Sequence, residues 1–201
     1  MINHKKKFLY THYPKCAGTS IRSYFISNYK EGIDEEIEHK KNRHCSLDLI
    51  IERLIELNHD PKEYFKFSFA RNPFDICLSF YSFHTTNNYE RFKRLGKPPS
   101  KAVSFCLNHS FKDYIKSKHC FSYFDRIYTY NNVFSIDFII RQENLENDFL
   151  KLCQTLKLKE IKLEKRNQTN HGNYRHYYDK ESIKIVEEKF EKELNYFNYS
   201  F

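Results

Sequence analysis

Tyr13-Pro14-Lys15-Cys16-Ala17-Gly18-Thr19-Ser20 is the stretch on which the fold turns. It leaves a short aromatic-rich run, Phe8-Leu9-Tyr10-Thr11-His12, and enters Thr19 to Tyr29, where Ile21, Tyr24, Phe25 and Asn28 share one helical face. An extended run interrupted by Pro14 and followed by a helix reads as a strand–loop–helix joint. There the first N–H groups of the helix point outward, with the positive end of the helix dipole behind them, which suits an anion. Gly18 lets the backbone come close to a ligand, Lys15 adds a full charge, and Thr19 and Ser20 add hydroxyl donors. Cys16 and Ala17 complete the loop, and Cys16 reads as a small filler. The plain alternative is an ordinary joint carrying an incidental lysine. The loop is not the nucleoside-triphosphate G-x-x-x-x-G-K-[ST] pattern, because Lys15 precedes the glycine and no glycine lies upstream.

Further along, Tyr64-Phe65-Lys66-Phe67-Ser68-Phe69-Ala70 is the clearest strand, and it ends at Arg71-Asn72-Pro73. Pro73 suits the first turn of the helix that follows over Phe74–Phe83. Arg71 at a strand end presents a fixed fork for phosphate, and Ser79 inside the next helix offers a hydroxyl to the same group. The alternative is a surface pair between Arg71 and Asp75. Ser46 reads as the N-cap of a helix over Leu47–Leu57. His84–Ser100 reads as a long loop, Ala102–Lys116 as weakly helical, and Arg126–Tyr130 and Ile136–Ile140 as strands around a turn at Asn131-Asn132. Asn144–Leu156 and Asp179–Leu194 read as helices. Strands alternating with helices predict one α/β domain over 1–201, with a central, mainly parallel sheet flanked by helices. Ligands of such sheets sit outside the carboxyl ends of the strands.

Together the two motifs resemble those of the PAPS-dependent sulfotransferases, in their carbohydrate branch. In that family a Pro-Lys-x-x-Gly-Thr-[ST] loop takes the 5′-phosphosulfate of 3′-phosphoadenosine 5′-phosphosulfate (PAPS), and an arginine at a strand end with a downstream serine takes the 3′-phosphate. The resemblance extends to Lys66–Asp75, to Asp137–Phe149, to the pattern Asn167, His171, Tyr174, Tyr177-Tyr178-Asp179, and to the ending Phe197–Phe201. It implies sulfuryl transfer from PAPS to a hydroxyl, with a carbohydrate acceptor and adenosine 3′,5′-bisphosphate as product, and with no metal. Donor-binding residues would be Lys15, Cys16, Ala17, Gly18, Thr19, Ser20, Arg71 and Ser79. Lys15 would also meet the charge that builds on the bridging oxygen. Such transfer needs a proton acceptor. His44, just ahead of the second helix, resembles the base of relatives, although the residues alone allow a solvated histidine in a polar loop. His84 is the runner-up, carboxylates at Glu35, Glu36 or Glu38 are a third option, and His171 and His176 stand behind these. Arg141 and Glu143 read as a structural pair or cap.

Composition agrees. The chain has 201 residues, and a hydrophobic share of 40% with 17% aromatics supports a real core rather than disorder. No apolar run approaches the roughly 18 residues that span a membrane. The apolar stretch after the basic start stops at Tyr10, too short for a signal peptide, so the expected compartment is the cytoplasm and the six scattered cysteines are expected as free thiols. The charge of +8 favours an anionic partner, but acidic residues interrupt it and no nucleic-acid module is visible, so a small anion is preferred to nucleic acid. The rival readings are a P-loop-like kinase and a non-enzymatic polyanion binder.

Overall fold

The computed structural model describes residues 1–38, 45–161, 163 and 172–201. The chain forms two compact units, Met1–Arg71 with Tyr123–Asn167, and Asn72–Ser122 with Gln168–Phe201.

The first unit is built on a four-stranded sheet. Its strands are β1 (Ile2–Asn3), β2 (Phe8–Tyr10), β3 (Phe65–Ala70) and β6 (Phe138–Arg141), in the order β1-β2-β3-β6. β2, β3 and β6 run parallel, with Tyr10 beside Phe67 and Ala70 beside Arg141. β1 is an antiparallel edge strand inside what the sequence shows only as a basic start. Side-chain alternation puts Phe65, Phe67 and Phe69 of β3 on one face and Lys66, Ser68 and Ala70 on the other, and the strand is buried from Phe67 to Ala70. Phe67 packs on Phe25 of α1 (Gly18–Tyr29), 5.9 Å between ring centres, and Phe8 and Tyr10 meet the same ring. Ser68, pointing the other way, meets Thr11, whose hydroxyl lies 2.9 Å from both Ser68 Oγ and the carbonyl of Ile127. Ile127 belongs to α8 (Phe124–Tyr128), so helices cover the sheet on both sides. α2 (Glu35–Glu38) and α3 (Leu47–Glu56) lie between β2 and β3 in sequence. Ser46 caps α3 as expected, its hydroxyl accepting from the Leu49 N–H. α9 (Leu145–Thr155) follows β6, and Phe149 packs edge-on to Tyr24.

Arg126–Tyr130 is therefore corrected: only Thr129–Tyr130 (β4) is strand, and the preceding residues are α8. Phe124, Ile127 and Tyr128 are buried at helical spacing, and that contact outweighs the β propensity of the isoleucine and tyrosines. The turn at Asn131-Asn132 is as expected. Both residues take positive φ (49° and 63°) and close a hairpin between β4 and β5 (Val133–Phe134).

The second unit is helical. α4 (Pro73–Phe83) has Pro73 in its first turn and is N-capped by Asn72, whose Oδ1 accepts from the Phe74 N–H at 3.0 Å. The expected loop over His84–Ser100 is corrected. α4 runs on through a single wide π turn (His84–Asn88) into α5 (Tyr89–Arg94). The Thr85 and Thr86 hydroxyls take the carbonyls of Tyr81 and Ser82, local bonds that loosen the regular ladder without ending the helix. Ala102–Lys116 divides into α6 (Lys101–Asn108) and α7 (Phe111–Lys116), because Ser110 and Asp113 form a capping box that starts a new helix. Asp179–Leu194 likewise divides into α10 (Lys180–Lys189) and α11 (Glu191–Phe197) at Phe190, which leaves helical geometry while its ring is buried in the unit's core. All six cysteines are buried and none forms a disulfide; Cys77 and Cys120 lie 3.5 Å apart at sulfur. Among the described residues, no helix is long and apolar enough to cross a membrane.

Candidate active site

The carboxyl end of the sheet in the first unit collects the loop residues. Thr11 leaves β2 with its N–H on the carbonyl of Phe67 at 3.3 Å, so the chain stays fastened to β3 until it turns. Lys15 and Ala17 then both adopt left-handed backbone, at φ 69° and 57°. Ala17 is the N-cap of α1: its carbonyl receives the N–H of Ser20 at 3.0 Å, and its side chain offers no cap. The first turn contains no acidic residue. A helix start with neither a capping side chain nor a carboxylate keeps its positive end available to an anion. Cys16 is wholly buried, its thiol directed at the Pro14 carbonyl, which fits the filler role. Thr19 is exposed and Ser20 buried, so of the two hydroxyl candidates Thr19 is the one on the surface.

Arg71, the residue after β3, donates from its guanidinium to the carbonyl of Lys15 at 2.8 Å. The arginine of the second motif thus holds the loop of the first. Burial, and then the nearby Arg71 charge, push the Lys15 ammonium down to about 8. Two cations held together in a partly desolvated place make a site whose electrostatics an anion would relieve. Arg141 ends β6 beside Ala70, bringing a third basic residue to the same sheet end. Its main-chain N–H is taken by the Asp148 carboxylate at 2.9 Å, and Asp148 also receives the Asn144 amide. The Asp148 carboxylate thus ties β6 to α9.

The loop from Lys15 to Ser20 and Arg71 are brought together. Ser79 and His84 belong to the second unit: Ser79 is buried in α4, and His84 opens the π turn, with Nδ1 3.3 Å from the Asn88 amide nitrogen and its ring stacked on Phe80. His44 and His171 lie outside the described residues, as do the side chains of Glu36 and Glu38. Glu35 is exposed at the start of α2, and His176 is exposed in a short turn of 3₁₀ helix. Sequence reasoning missed His12, whose imidazole edge lies against Gly18. Its place two residues past β2, where the strand opens into the loop, was the available signal. Among the described residues, no cluster of histidine, cysteine, aspartate and glutamate is arranged to hold a metal ion.

Residues 1–200 match the Sulfotransferase family. No curated protein matches the chain. Among solved structures, the chain is similar in fold to mouse sulfotransferase SULT7A1 complexed with PAP, with a TM-score of 0.53 and 13% identity, over 96% of this chain and 86% of that one.

Proposed function

The chain belongs to the sulfotransferase family, and from that premise we propose that it transfers a sulfuryl group from PAPS to a hydroxyl of a carbohydrate. The observation that carries the donor assignment is the uncapped, acid-free start of α1, with Lys15 in its loop and Arg71 bonded to the Lys15 carbonyl. The PAP bound in the mouse structure of similar fold supports the same donor. The carbohydrate acceptor rests on the resemblance of the sequence motifs.

In this reaction the acceptor oxygen attacks sulfur in line, and the bond from sulfur to the oxygen bridging the 5′-phosphate breaks. The hydroxyl proton passes to a base, and adenosine 3′,5′-bisphosphate leaves with new charge on that bridging oxygen. The α1 N–H groups would hold the phosphosulfate, and Arg71 the 3′-phosphate. Lys15 would meet the bridging oxygen, where its charge is needed most in the transition state. His44 is the proposed base, from its place before α3 and from an ordinary imidazole pKa of about 6.5, which suits proton transfer near neutrality.

Incubation with labelled PAPS and a panel of glycans, without added magnesium, should move label onto a glycan by one sulfuryl mass. Absence of transfer to any hydroxyl acceptor, with the nucleotide bound, would leave a polyanion-binding protein instead. In His44→Ala the rate should fall about 10²–10⁴-fold and the acidic limb of the pH–rate profile should vanish, with nucleotide binding kept. Wild-type turnover with that limb intact would move the base to His84.

A further inference from the structure

At Gly18 it is volume, not conformation, that favours glycine. It does not share the positive φ of its neighbours Lys15 and Ala17, which take left-handed backbone without being glycine. A Cβ built on Gly18 would instead stand 2.1 Å from both Cδ2 and Nε2 of His12 and 2.7 Å from Cε1. The edge of the imidazole occupies the space that any other side chain would need.

The ring is mounted on a rigid base. Thr11, immediately before it, is buried and bonded through its N–H to Phe67 and through its hydroxyl to the neighbourhood of Ser68 and Ile127. The ring itself meets buried Phe69 of β3 edge-on, 6.2 Å between centres. His12 is thus held by the sheet on one side and touches the first residue of α1 on the other. The main-chain N–H groups that would receive an anion start at that residue.

We propose that His12 is a positioning residue of the donor site: its ring, seated against Gly18, sets where the first turn of α1 stands relative to the sheet end that carries Lys15 and Arg71. The inference rests on the donor reading above and assigns His12 a role exerted through its contact with Gly18. Oriented N–H donors stabilise charge only where their geometry is kept, so loss of the ring should weaken anion binding without unfolding the protein.

The test is calorimetric binding of adenosine 3′,5′-bisphosphate to the full chain, with the ligand-free melting temperature recorded for each variant. Wild type should bind. His12→Ala should bind at least about tenfold more weakly, a change of about 1.4 kcal/mol, at an unchanged melting temperature. His12→Phe, which keeps a flat ring edge-on to Phe69, should return to within about threefold of wild type. Gly18→Ala should bind poorly in the wild-type background, yet the double variant Gly18→Ala/His12→Ala should be no weaker than His12→Ala alone, because the colliding ring is gone.

Wild-type affinity in His12→Ala overturns the proposal. So does a His12→Phe variant as weak as the alanine, and so does an undiminished Gly18→Ala penalty in the alanine background. If His12→Ala fails to fold, the phenylalanine variant decides. A wild-type protein that binds no nucleotide defeats the donor reading, and this inference with it, whereas bound wild type with discordant variants defeats this inference alone.

Discussion

Lys15 concentrates the chemistry proposed for the loop. Its backbone carbonyl anchors Arg71, so Lys15→Ala keeps that bond and removes only the ammonium. Turnover at saturating donor should then drop by about 10²–10³, and affinity for adenosine 3′,5′-bisphosphate by much less. A variant that loses affinity but keeps its saturated rate would make Lys15 a binding residue only. The same ammonium gives a pH dependence. Burial and Arg71 lower it from 10.5 to about 8, and a bound anion favours its charged form. Affinity for the nucleotide should therefore fall as pH rises through about 8, with proton uptake on binding above that pH, readable by calorimetry in buffers of different ionisation heat. Flat affinity from pH 7 to pH 9.5 would count against it. In the ligand-free protein the sign is opposite. Between about 8 and 10.5 the unfolded chain holds the proton that the folded chain has lost, so this group makes stability rise with pH across that window.

Among the elements, α4 shows how one side chain can serve two structures. Asn72 caps the helix through Oδ1, while its amide donates to the Ser200 carbonyl at 2.9 Å and lies 3.3 Å from the Tyr174 hydroxyl. Phe201 beside it packs on Phe74, 5.0 Å between ring centres. Asn72→Ala should destabilise the protein by about 1–2 kcal/mol, the ordinary loss of a cap plus one hydrogen bond. Asn72→Asp keeps the accepting oxygen and should recover the cap's share. Urea unfolding of the two variants measures the division, and equal losses would deny the cap its part. The same element shows what local chemistry hides. Thr85-Thr86-Asn87-Asn88 carries the composition of a loop, yet it is held helical as a π turn, with threonine hydroxyls on carbonyls one turn back.

At the scale of the molecule, a ligand that binds only the native state raises its stability by mass action. Adenosine 3′,5′-bisphosphate at a hundredfold excess over its Kd should add about 2.7 kcal/mol. For a chain of this size that is roughly 2–4 °C of melting temperature for each kcal/mol. Adenosine 5′-phosphate, lacking the group proposed for Arg71, should shift it less at equal concentration. Equal shifts would deny Arg71 a 3′-phosphate. With a net charge of +8, both shifts should shrink as salt screens the attraction.

The parts legible from residue order alone are those whose signal is local. Pro14, Lys15 and Gly18 marked a strand–loop–helix joint, Pro73 and Ser46 marked helix starts, and Asn131-Asn132 marked a turn. Each rests on backbone preferences that a few neighbouring residues decide. The antiparallel pairing of β1 at the sheet edge comes from tertiary contact with β2, because two residues show no period of their own. Tertiary structure also decided that Phe124, Ile127 and Tyr128 are helical, since burial of one face selected among propensities that pointed to a strand. It alone set Arg71 on the Lys15 carbonyl and the His12 ring against Gly18. The first contact joins residues far apart in the chain. The second joins near neighbours across a turn whose path no propensity specifies, because two left-handed residues, neither of them glycine, shape it.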